Sequence, residues 1–142
     1  MQQKPSLTLK RRLKASPELV YAAWTDPQHL VNWWGPDSGP VLNASLDVRA
    51  GGRFDIHFKT LNGEDHNVGG VYREVVPNEK LVFSWAWHST PDRESLVTVT
   101  LKPDGSETIL TLLHEQFFDE TARERHQRGW TGTLDKLEHY LA

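Results

Sequence analysis

Seven histidines and no cysteine set the chemical repertoire of this chain. The imidazoles stand at His29, His57, His66, His88, His114, His126 and His139. No pair of them has the helical spacing of a His-Glu-x-x-His metal site, and without cysteine there is neither a thiol nucleophile nor a thiolate ligand. The sequence therefore predicts no bound metal and no cofactor. His57 alternates with Phe54, Ile56 and Phe58, so it is expected to face solvent, as is His66 just after Asn62-Gly63. His114 and His126 differ. His114 shares the period-two face of Leu110 and Leu112, and His126 lies one helical turn before Trp130. Both are expected beside one interior site, either as buried neutral imidazoles or as polar anchors for a ligand head group.

The remaining chemistry is sparse. Ser38, Ser45, Ser84, Ser89, Ser95 and Ser106 have no adjacent histidine–acid arrangement, and Gly51-Gly52 lacks the lysine and strand–helix context of a phosphate loop. No catalytic residue is assigned. Arg11 falls on the strand face of Leu9 and Leu13, where it needs a carboxylate such as Glu115 or Glu18, or an anionic ligand. Glu74, near Tyr72, is expected to be solvated.

Aromatic side chains are the larger signal. Trp33, Trp34, Phe54, Phe58, Tyr72, Trp85, Trp87 and Trp130 are expected on the apolar sides of their elements. Small-molecule sites are largely apolar with a few polar groups. The candidate binding set is accordingly Trp33, Trp34, Phe54, Tyr72, Trp85, His114, His126, Trp130 and Leu134.

These residues need elements to position them. Residues 7–13 alternate Leu7, Leu9 and Leu13 with polar neighbours and read as a first strand. Ser16-Pro17 and Asp26-Pro27 each place a capping side chain before a proline at the first helical position, predicting two short helices. Strands follow at residues 41–49, 53–60, 66–76, 81–88, 95–102 and 107–115. They are joined by short turns, among them Asn62-Gly63 and Pro103-Asp104-Gly105-Ser106. Gly69-Gly70 reads as a bulge or a close approach. From about Asp119 the period becomes helical, with His126, Trp130, Leu134, Leu137 and Leu141 inward and Arg123 and Glu138 outward. Gly129 and Gly132 suggest a close approach of this helix to the sheet. The order predicts an α+β fold: an antiparallel meander of about six to seven strands, curved round one long terminal helix.

Composition bounds the rest. A chain of 142 residues supports one domain, residues 1–142, with a core that needs no disulfide staple. The net charge of −3, with scattered Lys and Arg, gives no footprint for nucleic acid. No segment is long and apolar enough for a membrane span, and Met1-Gln2-Gln3-Lys4-Pro5 does not open a signal peptide. A cytoplasmic protein, monomeric or homodimeric and without a membrane partner, is expected.

Several motifs in order carry a family resemblance. They are Ala15-Ser16-Pro17-Glu18-Leu19-Val20-Tyr21-Ala22-Ala23-Trp24-Thr25-Asp26-Pro27, Trp33-Trp34-Gly35-Pro36, Asp47-Val48-Arg49-Ala50-Gly51-Gly52-Arg53-Phe54, the run from Gly70 to Trp85, and Gly129-Trp130 with Leu134 and Leu137. With them, from about Leu7 onward, the chain resembles the bacterial single-domain relatives of the activator of heat-shock protein 90 ATPase. That group lies within the START and Bet v 1-like helix-grip superfamily. The resemblance implies a helix-grip fold, and the expected function is binding of a small hydrophobic or amphipathic molecule between sheet and terminal helix. A cyclase- or hydrolase-like enzyme using a cavity histidine, and a module that docks on a chaperone or another protein, are the alternatives. The fold alone does not choose among them.

Overall fold

The structure is a computed structural model and describes residues 4–142. Strand β1 (Leu7–Leu13) leads into α1 (Pro17–Thr25) and α2 (Pro27–Leu30). Six strands follow: β2 (Val41–Leu46), β3 (Arg53–Lys59), β4 (Asp65–Val76), β5 (Lys80–Trp87), β6 (Ser95–Asp104) and β7 (Glu107–Glu115). Helix α3 (Glu120–Tyr140) ends the fold. The seven strands form one antiparallel sheet in the order β1-β7-β6-β5-β4-β3-β2. This is the α+β helix-grip architecture. β1 pairs with β7 along its whole length, Leu7 opposite His114 and Leu13 opposite Thr108, and so closes one edge as expected.

The helices start where side chains answer their free N–H groups. Ser16 Oγ accepts from the Leu19 N–H at 3.3 Å, Asp26 Oδ1 from Gln28 at 2.9 Å, and Asp119 Oδ1 from Ala122 at 2.8 Å. Asp26 also ends α1, through its own N–H to the Ala22 carbonyl at 2.9 Å, so one residue makes the corner between the two short helices. The turn lands Trp24, Leu30, Trp33 and Trp34 in the core, all buried.

Two local expectations are corrected and one is resolved. β2 stops at Leu46, because residues 47–52 fold into a turn in which Arg49 N–H donates to the Asp47 carbonyl and Gly52 N–H to that of Arg49. The ladder irregularities lie between Val41 and Asn43 and between Tyr72 and Glu74, not at Gly69-Gly70. Of the two readings of Gly69-Gly70, the close approach holds, since a Cβ at Gly70 would fall 1.9 Å from the Ser84 carbonyl oxygen of β5. The tight glycine of α3 is Gly132, and it faces the loop after α2 rather than the sheet: its Cβ would sit 2.4 Å from the Pro36 carbonyl oxygen.

Helix α3 buries Trp130, Thr133, Leu134 and Leu137. Arg11 meets carboxylates of α3, not Glu115 or Glu18. It donates to Asp135 Oδ1 at 2.6 Å and Glu138 Oε2 at 3.2 Å, which turns Glu138 from a free outward charge into a tie between β1 and the helix. Glu74 pairs with Lys80 at the surface, 3.4 Å away.

Candidate functional site

The sheet and α3 diverge towards the start of the helix and leave a cavity of about 570 Å³ open to solvent. Its inner wall is aromatic: Trp34 from the loop after α2, Phe58 from β3, Trp85 and Trp87 from β5, and Trp130 from α3. Trp85 and Trp87 stand two residues apart on one strand, so they share a face and meet edge to face at 5.5 Å. Trp85 and Trp130 approach to 5.1 Å across the gap between sheet and helix.

Two imidazoles hold these indoles in place. Trp130 donates its N–H to His114 Nδ1 at 3.0 Å. His114 therefore carries its proton on Nε2, which donates to Ser95 Oγ at 2.7 Å, and Ser95 passes its own hydrogen to the Trp85 carbonyl at 3.3 Å. His126 takes the other tautomer. Its Nδ1–H donates to the Ala122 carbonyl at 2.7 Å, leaving Nε2 to accept from Trp87 at 2.9 Å and Trp85 at 3.3 Å. Burial, reinforced by nearby His126, pushes the His114 pKa well below the usual histidine value. Burial also lowers His126, opposed by its bond to Ala122. The two rings meet edge to face at 5.1 Å, and each is neutral because one of its nitrogens accepts an indole N–H. Each ring nitrogen is spent within this network, so neither histidine presents a free lone pair to a substrate. The assembly is a rigid wall rather than an acid–base pair.

The loop over the cavity is fastened to α3 by one cation. Lys136 Nζ donates to the carbonyls of Trp34 (2.9 Å), Gly35 (3.4 Å) and Asp37 (2.6 Å). Partial burial lowers its pKa and the Asp37 charge works the other way. Gly132 lets Pro36 come close, and Gly35 turns with φ +99°. Trp34 is thus positioned by a side chain less than one helical turn beyond Thr133, the last residue of α3 to line the cavity.

Of the sequence-derived binding set, Trp34, Trp85, His126 and Trp130 line the cavity. Phe58 and Trp87, from the wider aromatic group, line it too. His114 stands behind the wall with no exposed surface. Leu134 is wholly in the core. Trp33 points elsewhere, donating its indole N–H to the Ala23 carbonyl at 3.1 Å. Phe54 and Tyr72 meet Trp24 at a separate void of about 20 Å³, where burial raises the Tyr72 phenol pKa well above its usual value.

Sequence reasoning missed several lining groups. Phe117 and Phe118 follow β7 outside any periodic run, and Arg93 sits in an aperiodic loop, so pattern gave no signal. Arg125, on α3, lies outside the apolar helical period, so pattern gave no signal for it either. His66 lines the cavity rather than standing free, stacked on Phe58 at 5.3 Å with its Nε2 3.1 Å from Thr60 Oγ1. Among the described residues, no three His, Asp or Glu side chains cluster closely enough to hold a metal ion, and no helix is long and apolar enough to cross a membrane.

The family model described as Activator of Hsp90 ATPase homolog 1-like protein matches residues 14–142. The chain belongs to this family. The crystal structure of the AHSA1 protein from Silicibacter pomeroyi is similar at 31% identity and TM-score 0.86, covering 96% of this chain and 97% of that one. A crystal structure of a Chromobacterium violaceum protein gives 29% identity and TM-score 0.85 over the same shares. The human Activator of 90 kDa heat shock protein ATPase homolog 1 is 29% identical over 125 residues, which is 87% of this chain. The chain spans about a third of that relative's length, 33%.

Proposed function

We propose that this member of the Activator of Hsp90 ATPase homolog 1-like family binds a small hydrophobic or amphipathic molecule in the cavity between sheet and α3, as a cytoplasmic binding protein. One observation supports this above the rest: an open cavity of about 570 Å³ whose inner wall is aromatic, with the indole N–H groups of Trp85, Trp87 and Trp130 bonded inside the protein. That size lies within the usual range for drug-sized ligands, about 300–1,000 Å³. Those three indoles need no hydrogen bond from water, so they lose little when a ligand displaces it.

Native mass spectrometry of the protein purified from its own host, followed by extraction and identification of the bound mass, tests the reading. Ala122 lines the cavity from the first turn of α3 and is half-buried. Ala122→Trp should fill the space and release the bound mass while the far-UV spectrum stays unchanged. A protein that emerges with no bound mass, and whose melting temperature no apolar or amphipathic compound shifts, counts against the reading.

A second reading rests on the name of the human relative. If this domain acts on a 90 kDa heat-shock protein, adding it should raise that chaperone's ATPase rate, with or without Ala122→Trp. Loss of stimulation in that variant would tie the two readings together.

A further inference from the structure

The cavity is polarised, and the polarity identifies the class of molecule it fits. At the inner wall, Trp85 and Trp87 have given their N–H groups to His126, and Trp130 has given its own to His114. Thr133 Oγ1 donates to the Gly129 carbonyl at 2.8 Å and Ser95 Oγ to that of Trp85. A carboxylate pushed against this part of the wall would lose its water and find no free donor among Trp85, Trp87, Trp130, Ser95 and Thr133, which is costly.

The exposed rim is different. Arg93, between β5 and β6, and Arg125, on α3, both line the cavity and both are exposed. Neither has a carboxylate within ion-pair distance among the described residues. Arg93 lies over the ring of Phe118, its guanidinium carbon 3.9 Å from the centroid, so its stem is braced while its donors remain available. Among the described residues one carboxylate lines the cavity, Asp65, and it is engaged at 3.0 Å by His57. A guanidinium offers paired N–H donors matched to a carboxylate.

Resting on the binding function proposed above, we infer that the ligand is an amphipathic anion. Its apolar body lies against the Trp85, Trp87 and Trp130 wall, and its single terminal carboxylate sits at the rim between Arg93 and Arg125. The acid is held at the mouth and the body is buried, not the reverse.

Three probes with one common body test this: 4-biphenylacetate, the neutral 4-biphenylmethanol, and the cationic 4-biphenylmethylammonium. Each is titrated by calorimetry into the full chain at low and at high salt. The carboxylate should bind about five- to tenfold more tightly than the alcohol at low salt, the cation more weakly than either, and the gap should narrow as salt screens the exposed rim. In R93Q/R125Q the carboxylate should fall to the level of the alcohol, with an unchanged melting temperature showing that the fold is intact. An R93K/R125K variant should recover part of the preference and, because it stays folded and charged, serves if the glutamine variant does not fold. Equal binding of carboxylate and alcohol, or a preference that survives R93Q/R125Q, overturns the inference but leaves a hydrophobic binding function standing. If the alcohol and the carboxylate both fail to bind, the binding function falls and this inference falls with it.

Discussion

Trp130 and His114 are joined by a buried bond, the indole N–H of α3 donating to Nδ1 on β7 at 3.0 Å. The pair couples helix to sheet beside the cavity and fixes the His114 tautomer, from which the bonds through Ser95 to the Trp85 carbonyl follow.

Removing that indole should therefore be costly twice over. Trp130→Ala leaves a cavity and is expected to cost about 3–5 kcal/mol. Trp130→Phe keeps most of the ring but strands the His114 nitrogen, for about 1–3 kcal/mol. Urea denaturation followed by circular dichroism measures both. A phenylalanine variant as stable as the parent would show that the bond contributes nothing.

The same network gives a pH signature. His114 and His126 have pKa values lowered by burial, so the unfolded chain takes up protons that the folded chain refuses. Their neutral forms contribute stability that is complete above the unfolded value of about 6.5 and is lost as pH falls below it. The urea midpoint should drop between about pH 7.5 and 5, before most carboxylates titrate. His126→Gln should make that drop shallower. A flat profile would mean that the rings are protonated in the folded state at little cost.

Two glycines of α3 should respond in opposite ways to alanine. In a helix interior the change is worth up to about 1 kcal/mol in favour of alanine. Gly129 has room, with the nearest atom, Pro36 Cβ, at 4.0 Å, so Gly129→Ala should stabilise. Gly132→Ala would place a methyl 2.4 Å from the Pro36 carbonyl oxygen and should destabilise, pushing the loop off the helix. Thermal melts of the two variants decide this, and equal shifts would contradict the packing of that loop.

The Arg11 tie should matter less than its short distance suggests. The Asp135 side chain is 62% exposed, and the energy of such a pair is largely screened. Asp135→Asn is expected to change stability by less than about 1 kcal/mol, and by less still at high salt. A larger loss would mean that Arg11 is left buried and uncompensated by Glu138.

Much of this arrangement is legible in the chain because period and caps are local. Ser16-Pro17 and Asp26-Pro27 announce α1 and α2, and the alternation through Phe54, Ile56 and Phe58 gives the inward face of β3. Inward, however, is not the same as cavity-lining. Trp33 and Trp34 are neighbours in sequence, and only the tertiary turn sends one to the Ala23 carbonyl and the other to the cavity. Phe54, Phe58, Tyr72 and Leu134 are all buried, and which of them meets open space depends on where α3 leaves the sheet. Arg93 and Arg125 were illegible for the opposite reason, since exposed cations carry no periodic signal.

The strand order has a consequence for how the cavity comes into being. β2 to β7 are joined by neighbouring pairings, but β1, at the far edge, pairs only with β7, so Leu7 must find His114 across nearly the whole chain. Contacts of such separation bear the largest loop-closure entropy and slow the assembly of a fold. The meander can zip locally, whereas β1 and the helix pair it brings, with Trp34 on the loop beyond them, join last. The tryptophan cage is then the final part of the molecule to become native. Stopped-flow refolding should show backbone circular dichroism recovering ahead of tryptophan fluorescence, and simultaneous recovery would mean that the cage and the sheet form in one step.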